Sequence, residues 1–554
     1  MAEDSLKVNT AMVGHANGDG VHLLRDRRPV KVPLSRALNE ELGGLAVSTS
    51  RSGLSTPAPP EDEDAPPSVK ATSAARRELR RKQRMFPTVE YTARVSYFDP
   101  HSDYSNFRGF FVLFWVGLAI MVITAMLRNL NETGSILSFK QWPLFTQDIW
   151  ELAASDLLMC ASTGLSLPLH LLYKNSRGWL KWSKGGIALQ SVFQAGWLWL
   201  WISWPFLREW SWTAQVFFTL HTLAMFMKMH SYAFYNGHLS TTLDRLKELD
   251  RPIEPTTPMD TAVRYPTTYT IISDAKEQVD EQDGTHPHET LPPILQLRED
   301  LAMELTSPIG NVTYAENLTV GNFLDYLLCP TLCYELEYPR TPTRSYMELF
   351  YKTLAVFGCI FLMTVTSEEF IIPVLDASHI RLSQTHHWID GALIFAETVS
   401  TLLFPFMITF LLVFLVIFEY VLGAFAEITR FADRRFYSDW WNSSDWLEFS
   451  REWNIPVHNF FRRHVYSASR GAQLSRPVAT AITFFISAVA HELVMGCITR
   501  KFRGYGFVLL MMQIPFVALQ RLPGVRERRL LNNVMFWIFM IMGLSLLCAL
   551  YVLV

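Results

Sequence analysis

The sequence predicts an all-α polytopic membrane protein, a bundle of about nine transmembrane helices behind a disordered cytosolic N-terminal tail. Three observations predict it. Of 554 residues, 49% are hydrophobic and only 18% charged, where a soluble protein carries about a quarter. The apolar residues gather into runs that match the roughly 20 helical residues needed to cross a hydrocarbon core of about 30 Å. No such run occurs before residue 105.

Two domains follow, residues 1–105 and 106–554. The first contains STPAPPEDEDAPP at residues 55–67, acidic and Pro-rich, which cannot bury enough surface to fold alone. It has no apolar leader and ends in a basic run at 76–84, read as a solvated flank or a lipid-surface contact. In the second domain the expected spans lie near 109–127, 152–173, 186–207, 212–235, 349–366, 398–424, 477–497, 504–520 and 534–554. The sixth is ambiguous, because its apolar run starts at Gly391, contains Glu397 and is interrupted by Pro405. Most Lys and Arg fall on the tail side of these spans, which predicts a cytosolic N-terminus and a luminal C-terminus. Arg500, Lys501 and Arg503 dissent. Asn131 lies in an NET sequon on the expected luminal side.

Two loops on the tail side are long. Residues 236–345 are Pro-, Thr- and acid-rich and expected to be disordered as far as Asn317. They then become aromatic in NFLDYLLCPTLCYELEYPRT, which should pack on the membrane body. Residues 425–476 hold the least ordinary composition, with four Trp, two Tyr, several Arg, and Asn454, His458 and Asn459 close together.

A net charge of −3 gives no reason to expect nucleic acid as a partner. The cysteines, Cys160, Cys329, Cys333, Cys359, Cys497 and Cys548, fit no disulfide framework or zinc-ribbon spacing and read as thiols. There is no phosphate-binding Gly-rich loop, which argues against an ATP-hydrolysing P-loop enzyme. HELVM lacks the second His of a zinc-protease helix, so no metal is expected.

The second long loop reads FYSDWWN at Phe436, Tyr437, Ser438, Asp439, Trp440, Trp441 and Asn442, then REWNIPVH at 451–458. Interfacial belts explain the tryptophans but not the polar residues between them. Arg and Tyr beside aromatic planes suit a phosphate-bearing head group. His491 sits roughly 21 Å along its helix from Pro477, too deep to snorkel, and must face protein or a cavity. It reads either as a packed residue or as a base. Ser487, one turn earlier, shares its face. His170, His221, His230, Asp156 and Lys228 also fall in spans, where each either lines a polar cavity or pairs inside the bundle.

FYSDWWN followed by REWNIPVH and the intramembrane SAVAHE at 487–492 resembles the membrane-bound O-acyltransferase family, in its sterol and diacylglycerol O-acyltransferase branch. PTLCYELEYPRT at 330–341 is similar to this branch too, and the C-terminal segments look most like the fungal, sterol-ester-forming type. The resemblance runs from about residue 105 to the end. It implies an acyl-CoA donor as co-substrate with no other cofactor, and a sterol acceptor, with diacylglycerol as the alternative. It also implies the endoplasmic reticulum membrane and a homo-dimer or tetramer. It places the catalytic histidine on His491 and the catalytic asparagine on Asn454. Acyl-CoA contacts fall on Arg451, Asn454, His458, Tyr466, Arg476 and Ser487, with a weaker match at Glu448.

Overall fold

The computed structural model describes residues 87–99, 102, 108–137, 139–250, 293–308 and 310–554. The expected tail up to residue 86, including its acidic and basic runs, lies outside the described residues, as does 251–292. Two compact units are distinguished. One comprises Met1–Ser48 and Pro252–Gln296, nearly all outside the described residues. The other, Thr49–Arg251 with Leu297–Val554, carries everything that follows.

That unit is helical, and its described residues contain only three isolated bridges and no strand. Six helical runs are long and apolar enough to cross a membrane: Gly109–Thr133, Trp142–Asn175, Tyr346–Gln384, Trp388–Thr429, Arg476–Thr499 and Arg529–Leu553. The sequence placed about nine spans, and the difference has physical causes. Ile187–Leu207 and Trp212–Leu249 form helices where spans were expected, and both are long enough. Gln190 and Gln194 in the first, and Lys228, three His and several Thr in the second, hold down their apolarity. The expected span at 504–520 is a broken pair, Tyr505–Met511 and Gln513–Gln520.

Local signals explain several boundaries. Ser345 and Glu348 form the S-x-x-E pattern that starts Tyr346–Thr366, with the Ser345 oxygen accepting from Glu348 N at 3.3 Å. Pro477 occupies the first turn of Arg476–Thr499, where its missing N–H costs nothing. The ambiguous sixth span is one continuous run, since the helix passes through Pro405 to Phe414 and continues through a π-turn at Leu415–Val421. The Trp212–Leu249 helix does not end at 235 as expected but runs on to Leu249.

Residues 87–99, placed by sequence in the disordered tail, are an extended strap against the second long loop. Arg94 donates to both carboxylate oxygens of Asp433 at 2.8 and 2.6 Å, Arg94 N donates to Ala432 O, and Val89 N donates to Glu335. Val89 and Tyr97 are buried there, which supplies the apolar anchor that composition averaged over the whole tail conceals. The aromatic end of the first long loop packs as expected, with Tyr326, Cys333, Tyr334, Leu336 and Tyr338 all buried. All six cysteines are free thiols.

Candidate active site

The FYSDWWN motif is built into the core. Phe436, Tyr437 and Trp440 are buried, and the Trp440 ring sits among Phe410, Phe414, Phe449, Trp453 and Trp537. Its tryptophans therefore serve packing rather than a head group. The Tyr437 hydroxyl donates to Glu419 at 3.0 Å, and Lys352 meets the other oxygen of that carboxylate at 3.2 Å. Sequence reasoning gave Glu419 and Lys352 no role. Their signal was there, a charge of each sign inside apolar runs, which is tolerated only when paired.

Backbone bonds carry the motif to the second pattern. Ser438 N donates to Glu452 O at 2.8 Å and Ile455 N to Phe436 O at 3.0 Å, so 436–438 lies beside 452–455. Asp439 accepts from the Ser438 hydroxyl, and Asn442 is exposed. The Trp441 carbonyl accepts from Asn533 and Trp537 of the C-terminal helix at 3.0 and 3.1 Å. Asp445 and Glu448 cap Trp446–Glu452. Glu448 is occupied by the Ser444 N–H and hydroxyl at 2.7 and 2.9 Å, which gives it a local structural role.

Asn454 is half-buried at the N-cap of Ile455–Phe460, its side-chain oxygen accepting from Val457 N at 3.1 Å. That bond uses Oδ1 and leaves Nδ2 as a donor for something else. Arg451 is exposed, its Nε on the Leu447 carbonyl. His458 is half-buried one turn past Asn454. Burial, with Arg462 and Arg451 nearby, pulls its imidazole down to about 4, so it is neutral near pH 7 and the arginines supply the positive charge. Tyr466 closes a π-turn, Phe461–Tyr466, half-buried. This turn packs against Arg476–Thr499, whose first residue, Arg476, is exposed.

His491 is not sealed among side chains; its ring is exposed. Its Nδ1 lies 2.8 Å from the Ser487 carbonyl oxygen. A carbonyl only accepts, so Nδ1 is the donor in this bond and Nε2 is the ring nitrogen it leaves uncommitted. The group of Ser487 that meets the ring is its backbone carbonyl. The neighbouring Glu492 accepts from Gly504 N at 2.7 Å, Phe507 N at 3.1 Å and the Tyr551 hydroxyl at 2.7 Å. It fixes the histidine helix to the two elements that follow.

The other intramembrane polar residues pair inside the bundle. His170 meets the Tyr314 hydroxyl, His230 meets Gln194, both at 2.9 Å, and Lys228 donates to the carbonyls of Tyr326 and Cys329. No hydrogen bond or ion pair among the described residues joins Asn454 to His491. The 461–466 turn is what connects their segments. A cleft of about 820 Å³ elsewhere, lined by Arg128, Glu369, Arg381 and Glu397 among others, includes none of these residues.

A helical bundle with six membrane-length apolar runs, the exposed His491 on one of them and a polar, aromatic loop packed into its core together point to a class of membrane enzyme. Comparison with known proteins makes the class specific. The model of the membrane-bound O-acyltransferase family matches residues 197–553, and the chain belongs to that family. It is 39% identical over 486 residues to a probable sterol O-acyltransferase 2 of Schizosaccharomyces pombe, covering 86% of this chain and 94% of that one. It is 33% identical over 457 residues to sterol O-acyltransferase 2 of Saccharomyces cerevisiae, covering 81% and 66%. A diacylglycerol O-acyltransferase 1 of Dictyostelium discoideum is 33% identical over 256 residues, 46% of this chain and 40% of that one.

Proposed function

We propose that this protein transfers a fatty acyl group from acyl-CoA to the 3-hydroxyl of a sterol, forming sterol esters in the endoplasmic reticulum membrane. The observation that carries the chemistry is the exposed His491, held through Nδ1 against the Ser487 carbonyl so that Nε2 is left for a substrate. The choice of sterol rests on likeness to sterol O-acyltransferases over more than four-fifths of the chain, against less than half for the diacylglycerol enzyme.

In this reading the sterol hydroxyl gives its proton to Nε2 as its oxygen attacks the thioester carbonyl. The Asn454 amide N–H, free of its capping bond, stabilises the oxygen on which charge develops. The C–S bond then breaks, and the CoA thiolate takes the proton back from the imidazolium. Arg451 and Arg476, both exposed, suit the phosphates of CoA, and neutral His458 and Tyr466 suit its uncharged parts. A hydrocarbon setting keeps out water, which would otherwise hydrolyse the thioester.

The test is to supply the purified chain in detergent with labelled acyl-CoA and a sterol or diacylglycerol in turn. Sterol ester is the expected product. Replacing His491 with Ala should lower turnover by about 100-fold or more. Triacylglycerol as the main product would move the acceptor assignment, and near-normal turnover of His491→Ala would remove the base.

A further inference from the structure

Two helices outside the site share a cluster that chemistry at His491 does not use. Asp156 and Cys160 stand four residues apart in Ile149–Thr163, hence on one face, and His221 of Trp212–Leu249 comes to meet them. The Asp156 carboxylate lies 2.6 Å from Nδ1 of His221, and the Cys160 sulfur lies 4.0 Å from its Nε2. One donor atom from each of the three falls within 4.8 Å of the others. The side chains of His221 and Asp156 remain 29% and 21% accessible. Around them Leu157, Leu158, Phe217 and Leu220 expose apolar surface, so the cluster looks out on hydrocarbon.

We propose that Asp156, Cys160 and His221 bind a single zinc ion that clamps these two helices together. The donors are one carboxylate oxygen, one thiolate and one imidazole nitrogen, the set that zinc takes, whereas calcium and magnesium take oxygen alone. Charge points the same way. One carboxylate and one thiolate cancel the two positive charges, so the loaded site is neutral, as a low-dielectric setting requires.

Asp156 meets Nδ1 and Cys160 faces Nε2 of the same ring, and an ion takes one ring nitrogen, so metal–ligand bonds of about 2.0–2.3 Å require the Asp156–His221 bond to open and the ring or the Cys160 sulfur to turn toward that nitrogen. Binding releases the thiol proton, while the imidazole keeps one N–H on the nitrogen that does not take the ion, so that carboxylate, thiolate and neutral ring balance the zinc charge. A fourth position stays open. The order carboxylate, imidazole, thiol also matches an armed nucleophile, but position disfavours it. Thr219 touches Cys497, which lies six residues beyond His491 in its helix. That puts this region about 9 Å further than His491 from the loop side.

Metal content decides the matter. The full chain, purified in detergent, is stripped with a mild chelator, loaded with zinc sulfate and dialysed, and in parallel loaded with cobalt(II) as a spectroscopic probe. We expect about one zinc per chain and a thiolate-to-cobalt charge-transfer band, both reduced about tenfold or more in Cys160→Ser and His221→Gln. Zinc well below one per chain in the unaltered protein, or cobalt bound with no thiolate band, overturns the site. So does full zinc stoichiometry in Cys160→Ser. The unaltered chain decides even if a variant fails to fold. No readout involves acyl transfer, so failure here and failure of the sterol reading are told apart.

Discussion

The side-chain oxygen of Asn454 is spent on Val457 N, and its amide nitrogen is not. The two ends of one side chain therefore do different work, and different substitutions separate them. Asn454→Asp keeps an acceptor at the cap, where a negative charge is also welcome, but removes the N–H donor. It should leave stability within about 0.5 kcal/mol of the parent while lowering turnover by about 100- to 1000-fold. Asn454→Ala removes both ends and should in addition cost about 1 kcal/mol of stability. Thermal unfolding in detergent and esterification rates check the pair, and full activity in Asn454→Asp would show that the donor is not used. Two residues earlier, Glu452 is pushed up to about 7, first by burial and then by Glu448 and Asp439, with Arg451 opposing. A carboxyl raised in the folded state favours folding while protonated, and that contribution disappears as pH climbs from its unfolded value through about 7. The melting temperature should therefore fall between about pH 5 and about pH 8, and Glu452→Gln should flatten that fall. An unchanged slope in the variant would assign the dependence to other groups.

At the scale of elements, the segment bearing Asn454 is held by a buried ion pair. Arg463, inside the Phe461–Tyr466 turn, donates to Glu335 and to the Tyr334 carbonyl, both at 2.9 Å, and lies 4.3 Å over the Tyr235 ring. Glu335 accepts from Val89 as well, so one carboxylate ties together the strap, the first long loop and the turn. Removing one partner strands a buried charge, so Arg463→Ala or Glu335→Ala should each cost about 3–5 kcal/mol, whereas replacing both with apolar residues should cost much less than the sum. Chemical or thermal denaturation of the two singles and the double checks this, and additive losses would mean the pair is not coupled. The sequence made the loop patterns visible because Trp, Asn and His in that density suit no ordinary connector. It hid Arg463 and Glu335, since an arginine in FRRHVY and a glutamate in CYELEY look like any solvated charge until a partner far along the chain is known. The strap was hidden for the opposite reason. Its two anchors, Val89 and Tyr97, are too few to lift a polar tail above the composition of disorder. Spans rich in Val, Leu and Phe were legible from apolarity alone, whereas Ile187–Leu207 and Trp212–Leu249 carry amides, His and Thr that lower their apolarity, some of them paired inside the bundle as His230 is with Gln194 and Thr219 with Cys497.

For the whole molecule, the number of crossings decides which side the C-terminus faces, and the broken pair at 505–520 is the step that sets it. Its 16 residues rise only about 24 Å as helix, short of a hydrocarbon core of about 30 Å. Its contacts nevertheless connect opposite ends of the bundle. At its start Gly504 and Phe507 donate to Glu492, near the end of the histidine helix, and Tyr551 of the C-terminal helix meets the same carboxylate. At its finish Gln520 accepts from Trp446 N in the long loop, and Asn533, near the start of the C-terminal helix, reaches Trp441 in that loop. The pair therefore runs from the far end back to the loop end, and Arg529–Leu553 returns. Val554 then lies on the side of Thr499, opposite Asn454. With basic residues favouring a cytosolic loop, a glycosylation acceptor fused after Val554 should be modified, while one inserted between residues 260 and 285 should not. The native sequon is the weaker reporter, because Asn131 occupies the last turn of Arg108–Thr133. A gel shift on the inserted acceptor and none on the C-terminal one would invert the orientation. Modification of neither or both would mean that 505–520 turns back without crossing.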